Sequence, residues 1–90
     1  MTAAARVRIT GPLTVHVEGF AAELTAHGYT DLSLANQLRL MADLSRWLQA
    51  AAMPVDEIDH DDVMRFLAKR RRTHTQFITE RALAPLLRYL

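Results

Sequence analysis

The 90-residue sequence contains no cysteine, only three glycines and three prolines, and six aromatic residues in all. Without cysteine the chain forms neither disulfides nor thiolate metal sites, which suits the reducing cytoplasm. The small number of aromatic residues, set against many leucines and alanines, favours helix over sheet. No apolar run approaches the roughly 20 residues of a membrane span, and residues 1–12 lack an apolar stretch of signal-peptide length. These absences predict an all-α protein of the cytoplasm that has no membrane partner.

Half of the residues are apolar, which suffices for one domain with one small core. The formal net charge is only +1, but the charges are unevenly distributed along the chain. Residues 1–64 carry four basic and nine acidic side chains, a balance of −5, whereas residues 65–90 carry seven basic and one acidic, a balance of +6. A basic pole of this kind attracts anionic polymers, of which DNA and RNA are the commonest.

Residues 1–11 show no helical period and are predicted to form an extended arm. Apolar residues then recur at helical spacing, which predicts a first helix over residues 13–27 that ends at Gly28. A glycine at this position adopts positive φ without strain, so Tyr29 is expected to fold back in a Schellman motif. Gly19 lies inside the helix and weakens it by about 1 kcal/mol relative to alanine, unless a neighbouring helix needs a close approach there.

The second helix follows a cap at Thr30 or Asp31 and is predicted to reach residue 51, before the Met-Pro pair at residues 53–54. Its apolar residues cover about half of the circumference, as in a helix packed against two others. They are Leu34, Leu38, Leu40, Met41, Leu44, Trp47 and Leu48. The opposite face is polar and carries Asn36, Arg39, Asp43 and Arg46. We therefore expect this helix to be the centre of the core.

A third helix is predicted to begin after a loop over residues 54–59. Asp59 is suited to its N-cap, and Asp62, three residues on, completes a capping box. The helix buries its apolar side chains and runs into four consecutive cations at residues 69–72, which also complement the helix dipole at its C-terminus.

A loop over residues 73–78 then leads to a last helix with Thr79 as its cap. Pro85 interrupts the pattern of this helix, because it lacks the N–H that would bond to the Arg81 carbonyl and its ring crowds the preceding turn. We therefore expect either a kink at Pro85 or a helix that begins in earnest at Ala84.

Several segments occur in a telling order: Gly-Tyr-Thr at residues 28–30, Gln-Leu-Arg-Leu-Met at 37–41, Leu-Ser-Arg-Trp-Leu at 44–48, the basic run, and Arg-Ala-Leu-Ala-Pro-Leu-Leu-Arg-Tyr-Leu at 81–90. This order resembles the N-terminal core-binding domain of tyrosine recombinases, the phage-integrase family. The resemblance implies a SAM-like orthogonal bundle of four or five helices over residues 12–90. Such a domain forms half of a clamp around duplex DNA and meets other recombinase subunits there.

The resemblance also implies a division of labour, in which a separate catalytic domain carries out strand exchange. For this part of the chain it implies no catalytic residue, no cofactor, no metal and no small-molecule substrate. Neither Tyr29 nor Tyr89 has a His-x-x-Arg motif within reach in the sequence. An enzyme is further disfavoured because no acid, base and nucleophile converge.

In the family the second and last helices of this domain lie across the major groove. DNA contacts are therefore expected on the polar edge of the second helix, the basic run and the start of the last helix, where side chains can reach phosphates and base edges. The residues are Ser33, Asn36, Arg39, Lys69, Arg70, Arg71, Arg72, His74, Thr75, Gln76, Thr79 and Arg81.

Each of these contacts has a plainer alternative. Arg39 is spaced to form a surface ion pair with Asp43, four residues on. The basic run also fits a solvated helix end, and Arg46 is expected to lie on an ordinary solvated face.

The same sequence fits a SAM-like protein-interaction module, in which the first or last helix packs against another subunit and the basic run is incidental. The acidic stretch at residues 56–62 resembles a metal-ligand cluster, but it lacks the glycine and the final glutamate of a calcium loop. Negative charge at a helix N-terminus explains this stretch more simply.

Overall fold

The computed structural model describes residues 7–90, which form a small bundle of α-helices. The four helices in this range are α1 (Val17–Ala26), α2 (Asp31–Ala50), α3 (His60–Arg70) and α4 (Glu80–Tyr89). Short 3-10 turns at Thr14–His16 and Val55–Glu57 precede α1 and α3, and residues 7–90 contain no strand. The all-α prediction is confirmed, whereas residues 1–6 of the predicted arm lie outside the described residues.

The core is built around α2, as predicted. Half of the residues of α2 are buried, so the helix has neighbours around much of its circumference. Both α1 and α4 pack on it, and α3 packs on α4. Its buried leucines meet apolar side chains of the other segments: Leu13, Phe20, Leu24, Val63, Phe66, Leu67, Leu83 and Leu86. Trp47 is only half-buried and lies edge-on to the Phe66 ring, with centroids 5.9 Å apart, so it covers the rim of the core.

Side-chain caps begin three of the four helices, at the predicted residues Thr30, Asp59 and Thr79. In each case a side-chain oxygen accepts a hydrogen bond from the backbone N–H three residues on, at 2.9 to 3.2 Å. The capping box of α3 is complete, because the Asp62 carboxylate accepts the Asp59 N–H at 3.1 Å. That bond and the guanidinium of Arg65 hold the pKa of the Asp62 carboxyl below its ordinary value.

A residue in the left-handed conformation follows both α1 and α2. After α1 it is Gly28, with φ at 85°, and the Tyr29 N–H donates to the Leu24 carbonyl at 3.1 Å. This geometry confirms the predicted Schellman motif. After α2 a non-glycine residue, Ala52, takes the same position with φ at 52°, and the next N–H again bonds five residues back, at 3.0 Å.

The first α-helix is shorter than predicted, because Thr14–His16 form a 3-10 turn ahead of it. Just before this turn, the chain contacts the fully buried side chain of Ser45 on α2. Its hydroxyl donates to the Thr10 carbonyl at 2.5 Å and accepts the Leu13 N–H at 3.1 Å. Gly11, with φ at 90°, lies so close that an added Cβ would be 2.9 Å from the serine oxygen. The segment before α1 is therefore fixed on α2 rather than extended away from it.

Gly19 makes room for Tyr89, near the end of α4. A Cβ at position 19 would clash with the Tyr89 hydroxyl, and the Tyr89 ring packs on Phe20 with centroids 5.5 Å apart. The close approach that accounts for a glycine inside α1 is therefore present.

Pro85 lies inside α4, which is continuous from Glu80 to Tyr89. The predicted alternative of a helix that begins only at Ala84 is wrong, and the kink stays a prediction. The Thr79 cap fixes the first turn, so the missing proline N–H removes one bond from a helix that has already begun.

We expect Ser45→Ala to lower the free energy of unfolding by about 1–3 kcal/mol, because two backbone groups lose their buried partner. Urea titration followed by circular dichroism measures the change. Thr25→Ala is the control, since that exposed hydroxyl bonds only the Ala21 carbonyl of its own helix, and the loss should be below about 0.5 kcal/mol. Equal losses in the two variants would contradict the clamping role of Ser45.

In a Tyr89→Leu background, Gly19→Ala should raise the free energy of unfolding by about 1 kcal/mol, because helix propensity then acts alone. In the wild-type background the same substitution should give no gain or a loss, since the Tyr89 side chain must move off Phe20. A double-mutant cycle of urea unfolding measures this coupling. A gain of the same size in both backgrounds would show that Tyr89 does not require the glycine.

Candidate nucleic-acid interface

A polar furrow crosses the molecule between α2 on one side and the end of α3 with its following loop on the other. It consists of three adjoining cavities of about 200, 420 and 310 Å³, which share residues with one another. The charged and polar side chains that line the furrow are Arg8, Asn36, Arg39, Asp43, Arg46, Lys69, Arg70, Thr73, His74, Thr75 and Gln76.

Arg70 lines all three cavities and forms the floor of the furrow. Although it belongs to the basic run, only 8% of the residue is exposed. Its Nη1 donates to Asp43 Oδ2 on α2 at 2.6 Å, and its Nε donates to the Phe77 carbonyl at 2.8 Å. One guanidinium thus joins α2, α3 and the loop between α3 and α4.

This burial gives Arg70 a structural role, which was not predicted, while its predicted contact with DNA stays a prediction. Two of its three nitrogens are occupied by protein acceptors. A signal for this was present in the sequence, since Val63, Phe66, Leu67 and Arg70 follow the 3-4 spacing of one helix face and are all buried. The other residues of the basic run, at positions 69, 71 and 72, lie off that face and are exposed.

Asp43 is the acidic residue of the furrow. Its two oxygens face two different arginines, Arg70 at 2.6 Å and Arg46 at 3.5 Å. Arg39 donates instead to Asn36 Oδ1 at 3.1 Å. The alternative of an Arg39–Asp43 ion pair is therefore wrong, because the buried guanidinium and Arg46 take the carboxylate.

Positive charge dominates the furrow, with five cationic side chains against one carboxylate. Three of them, Arg8, Arg39 and Lys69, are exposed and have no carboxylate partner within residues 7–90. Arg8 was not among the predicted contact residues, because its position beside α2 depends on the contact between Ser45 and the segment before α1. A groove with this balance attracts an extended polyanion.

Seven of the twelve predicted contact residues line the furrow: Asn36, Arg39, Lys69, Arg70, His74, Thr75 and Gln76. The other five are exposed but lie outside it, namely Ser33, Arg71, Arg72, Thr79 and Arg81. Three of these have partners within the bundle. The Thr79 hydroxyl caps α4, and Arg71 Nε donates to the Ile78 carbonyl at 3.2 Å. The Ser33 hydroxyl accepts from the Thr30 hydroxyl at 3.1 Å. The structure thus brings the central part of the predicted surface together and leaves its ends apart.

Acidic side chains gather at the starts of α3 and α4. His60 Nδ1 lies 2.8 Å from Glu80 Oε1, which joins the first turns of the two helices. Within residues 7–90, no group of three His, Cys, Asp or Glu side chains is arranged to hold a metal ion. Of the helices described, none combines the length and the apolar character needed to cross a membrane.

No protein-family model matches the chain, and no curated protein or solved structure is significantly similar to it. The function therefore has to be inferred from the furrow and from the order of the sequence segments.

Arg70→Met should lower the free energy of unfolding by about 3 kcal/mol, because Asp43 loses its buried counterion and the Phe77 carbonyl loses its donor. Arg72→Met makes the same chemical change at an exposed position and should cost less than about 0.5 kcal/mol. Urea unfolding measures both variants. A small, equal loss in the two would rule out the structural role of Arg70.

Proposed function

We propose that the chain is the DNA-binding domain of a site-specific tyrosine recombinase, which acts in the cytoplasm and clamps duplex DNA at a recombination half-site. The observation that carries DNA binding is the furrow, where five cations and one carboxylate line a continuous surface between helices and loop. The order of the segments at residues 28–90 supports the recombinase part.

Phosphate contacts come from the exposed cations Arg8, Arg39 and Lys69, whose charge is free to meet a polyanion. Each cation that meets a phosphate releases condensed counterions, which favours binding and makes it depend on salt. Such contacts fix the register of a protein on the duplex but do not read its sequence.

Base contacts come from the amide side chains of Asn36 and Gln76, which line one cavity of the furrow from α2 and from the loop. An amide pairs with both N6 and N7 of adenine in the major groove. In the free protein the Asn36 oxygen accepts a hydrogen bond from Arg39 at 3.1 Å, and its second lone pair can accept from a base.

This proposal gives residues 12–90, together with Arg8 of the segment before α1, a binding role that needs no cofactor and no small-molecule substrate. Strand exchange belongs to a separate catalytic domain, which this domain positions on the half-site. Other recombinase subunits are the protein partners, and they meet the domain on DNA.

A protein-interaction module is the second candidate, and a separate groove favours it. The groove measures about 350 Å³ and lies between the start of α3 and the end of α4, with apolar walls and an acidic rim. Leu90, at one edge, is 39% exposed. The groove shares no residue with the furrow, so substitutions distinguish the two functions.

Fluorescence anisotropy of a labelled DNA duplex tests the first proposal. Three phosphate contacts, from Arg8, Arg39 and Lys69, predict that affinity falls about 40-fold between about 50 and 200 mM salt. Arg39→Gln and Lys69→Gln should each reduce that fall to about 10-fold, because each variant loses one contact.

Arg88→Gln is the matched control, because it removes one exposed cation from α4 beside a different cavity, near His27 and Tyr29. This variant should keep the fall of about 40-fold seen in the wild type. Two outcomes would overturn DNA binding by the furrow and leave the interaction module: no binding at low salt, or equal effects of all three substitutions.

A further inference from the structure

The Asp43 carboxylate lies in the furrow between the guanidinium groups of Arg70 and Arg46. Its Oδ2 accepts from Arg70 Nη1 at 2.6 Å, and its Oδ1 lies 3.5 Å from Arg46 Nη2. It is the one acidic side chain that lines the furrow in the part of the chain that the structure describes. Because 26% of the Asp43 side chain is exposed, the carboxylate faces the furrow and not only the core.

The two arginines are held with different firmness. The Arg70 side chain is 7% exposed and is also bonded to the Phe77 carbonyl, so it stays in place when a ligand arrives. The Arg46 side chain is 60% exposed, and its contact with Asp43 is its only ion pair within residues 7–90. A carboxylate and a phosphate offer oxygen atoms to the same guanidinium donors, so they compete for Arg46.

We propose that Asp43 is an internal competitor of the DNA phosphates, which sequesters Arg46 and lowers the affinity of the furrow for the backbone. This inference rests on the proposed function and concerns the regulation of the same surface. Phosphate contacts strengthen binding to every sequence alike, whereas base contacts discriminate. A carboxylate that withholds one phosphate contact therefore lowers non-specific binding and leaves a larger share of the affinity to the bases.

Asp43→Asn tests the inference, because it removes the charge and keeps the shape of the side chain. The release of Arg46 adds one phosphate contact, so the fall in duplex affinity between about 50 and 200 mM salt should increase from about 40-fold to about 150-fold. Asp61→Asn makes the same charge change at an exposed position in the first turn of α3. The duplex affinity of this variant should still fall about 40-fold over the same salt range.

If wild-type protein binds DNA and Asp43→Asn behaves like Asp61→Asn, the inference is overturned and the proposed function stands. If the wild type binds no DNA at low salt, the proposed function fails, and the following probe still decides whether a phosphate takes the place of the carboxylate.

Inorganic phosphate is the second probe and needs no DNA. In Asp43→Asn neither Arg70 nor Arg46 has its carboxylate partner, so a phosphate ion that binds beside these two guanidinium groups should raise the Tm. At matched ionic strength the rise should be larger in Asp43→Asn than in the wild type or in Asp61→Asn. Equal responses in the three proteins overturn the inference.

A further pair of variants covers the case in which Asp43→Asn does not fold. Asp43→Asn/Arg70→Met removes both charges of the Asp43–Arg70 ion pair, so that no buried charge is left unpaired, and still frees Arg46. The duplex affinity of this double variant should fall about 150-fold over the same salt range. When Arg46→Gln is added, the fall should return to about 40-fold. If Arg46→Gln makes no difference in that background, Arg46 is not the sequestered contact and the inference is overturned.

Discussion

The furrow depends on one constraint, the burial of the Arg70 guanidinium. A cation withdrawn from water costs several kcal/mol unless an opposite charge and hydrogen bonds replace its hydration. Arg70 obtains these from Asp43 on α2 and from the Phe77 carbonyl in the loop after α3. Because both partners are needed at once, α2, the end of α3 and the loop are held in one mutual arrangement. The furrow is the space that this arrangement leaves between α2 and the loop.

Ser45 fixes a third side of the furrow for a similar reason, since its side chain is uncharged but is also buried and needs hydrogen-bond partners. Its buried hydroxyl bonds to the chain on both sides of Gly11, so the segment before α1 lies against α2. Arg8 belongs to that segment and lines the same cavity as Arg39. A cation from the start of the chain thereby joins cations from α2 and α3. In both cases a single buried polar side chain, costly to leave unpaired, determines where exposed charges lie.

The side-chain caps of the helices were predictable from the sequence, whereas the polar contacts between helices were not. The caps at Thr30, Asp59 and Thr79 follow from hydrogen bonds within one turn. The burial of Arg70 could have been predicted, since the residue continues the apolar spacing of its helix. Its partner Asp43, however, lies 27 residues away on another helix. No spacing rule connects such residues. Much of the polar surface was therefore predicted from the sequence, but the Arg70–Asp43 pair at the floor of the furrow and the contribution of Arg8 were not.

The formal charge of the whole chain is a poor measure of what the furrow presents to a polyanion. That charge is only +1, because ten acidic residues, several of them at the start of α3, offset eleven cations. Asp61 and Lys69 are eight residues apart, which corresponds to about 12 Å of helix and exceeds the Debye length of about 8 Å at physiological ionic strength. Salt therefore screens the acidic end of α3 from a phosphate in the furrow. The attraction between the furrow and a polyanion then depends on the cations that line the furrow and on the one carboxylate beside them, Asp43. The acids at the start of α3 cap that helix and interact favourably with its dipole.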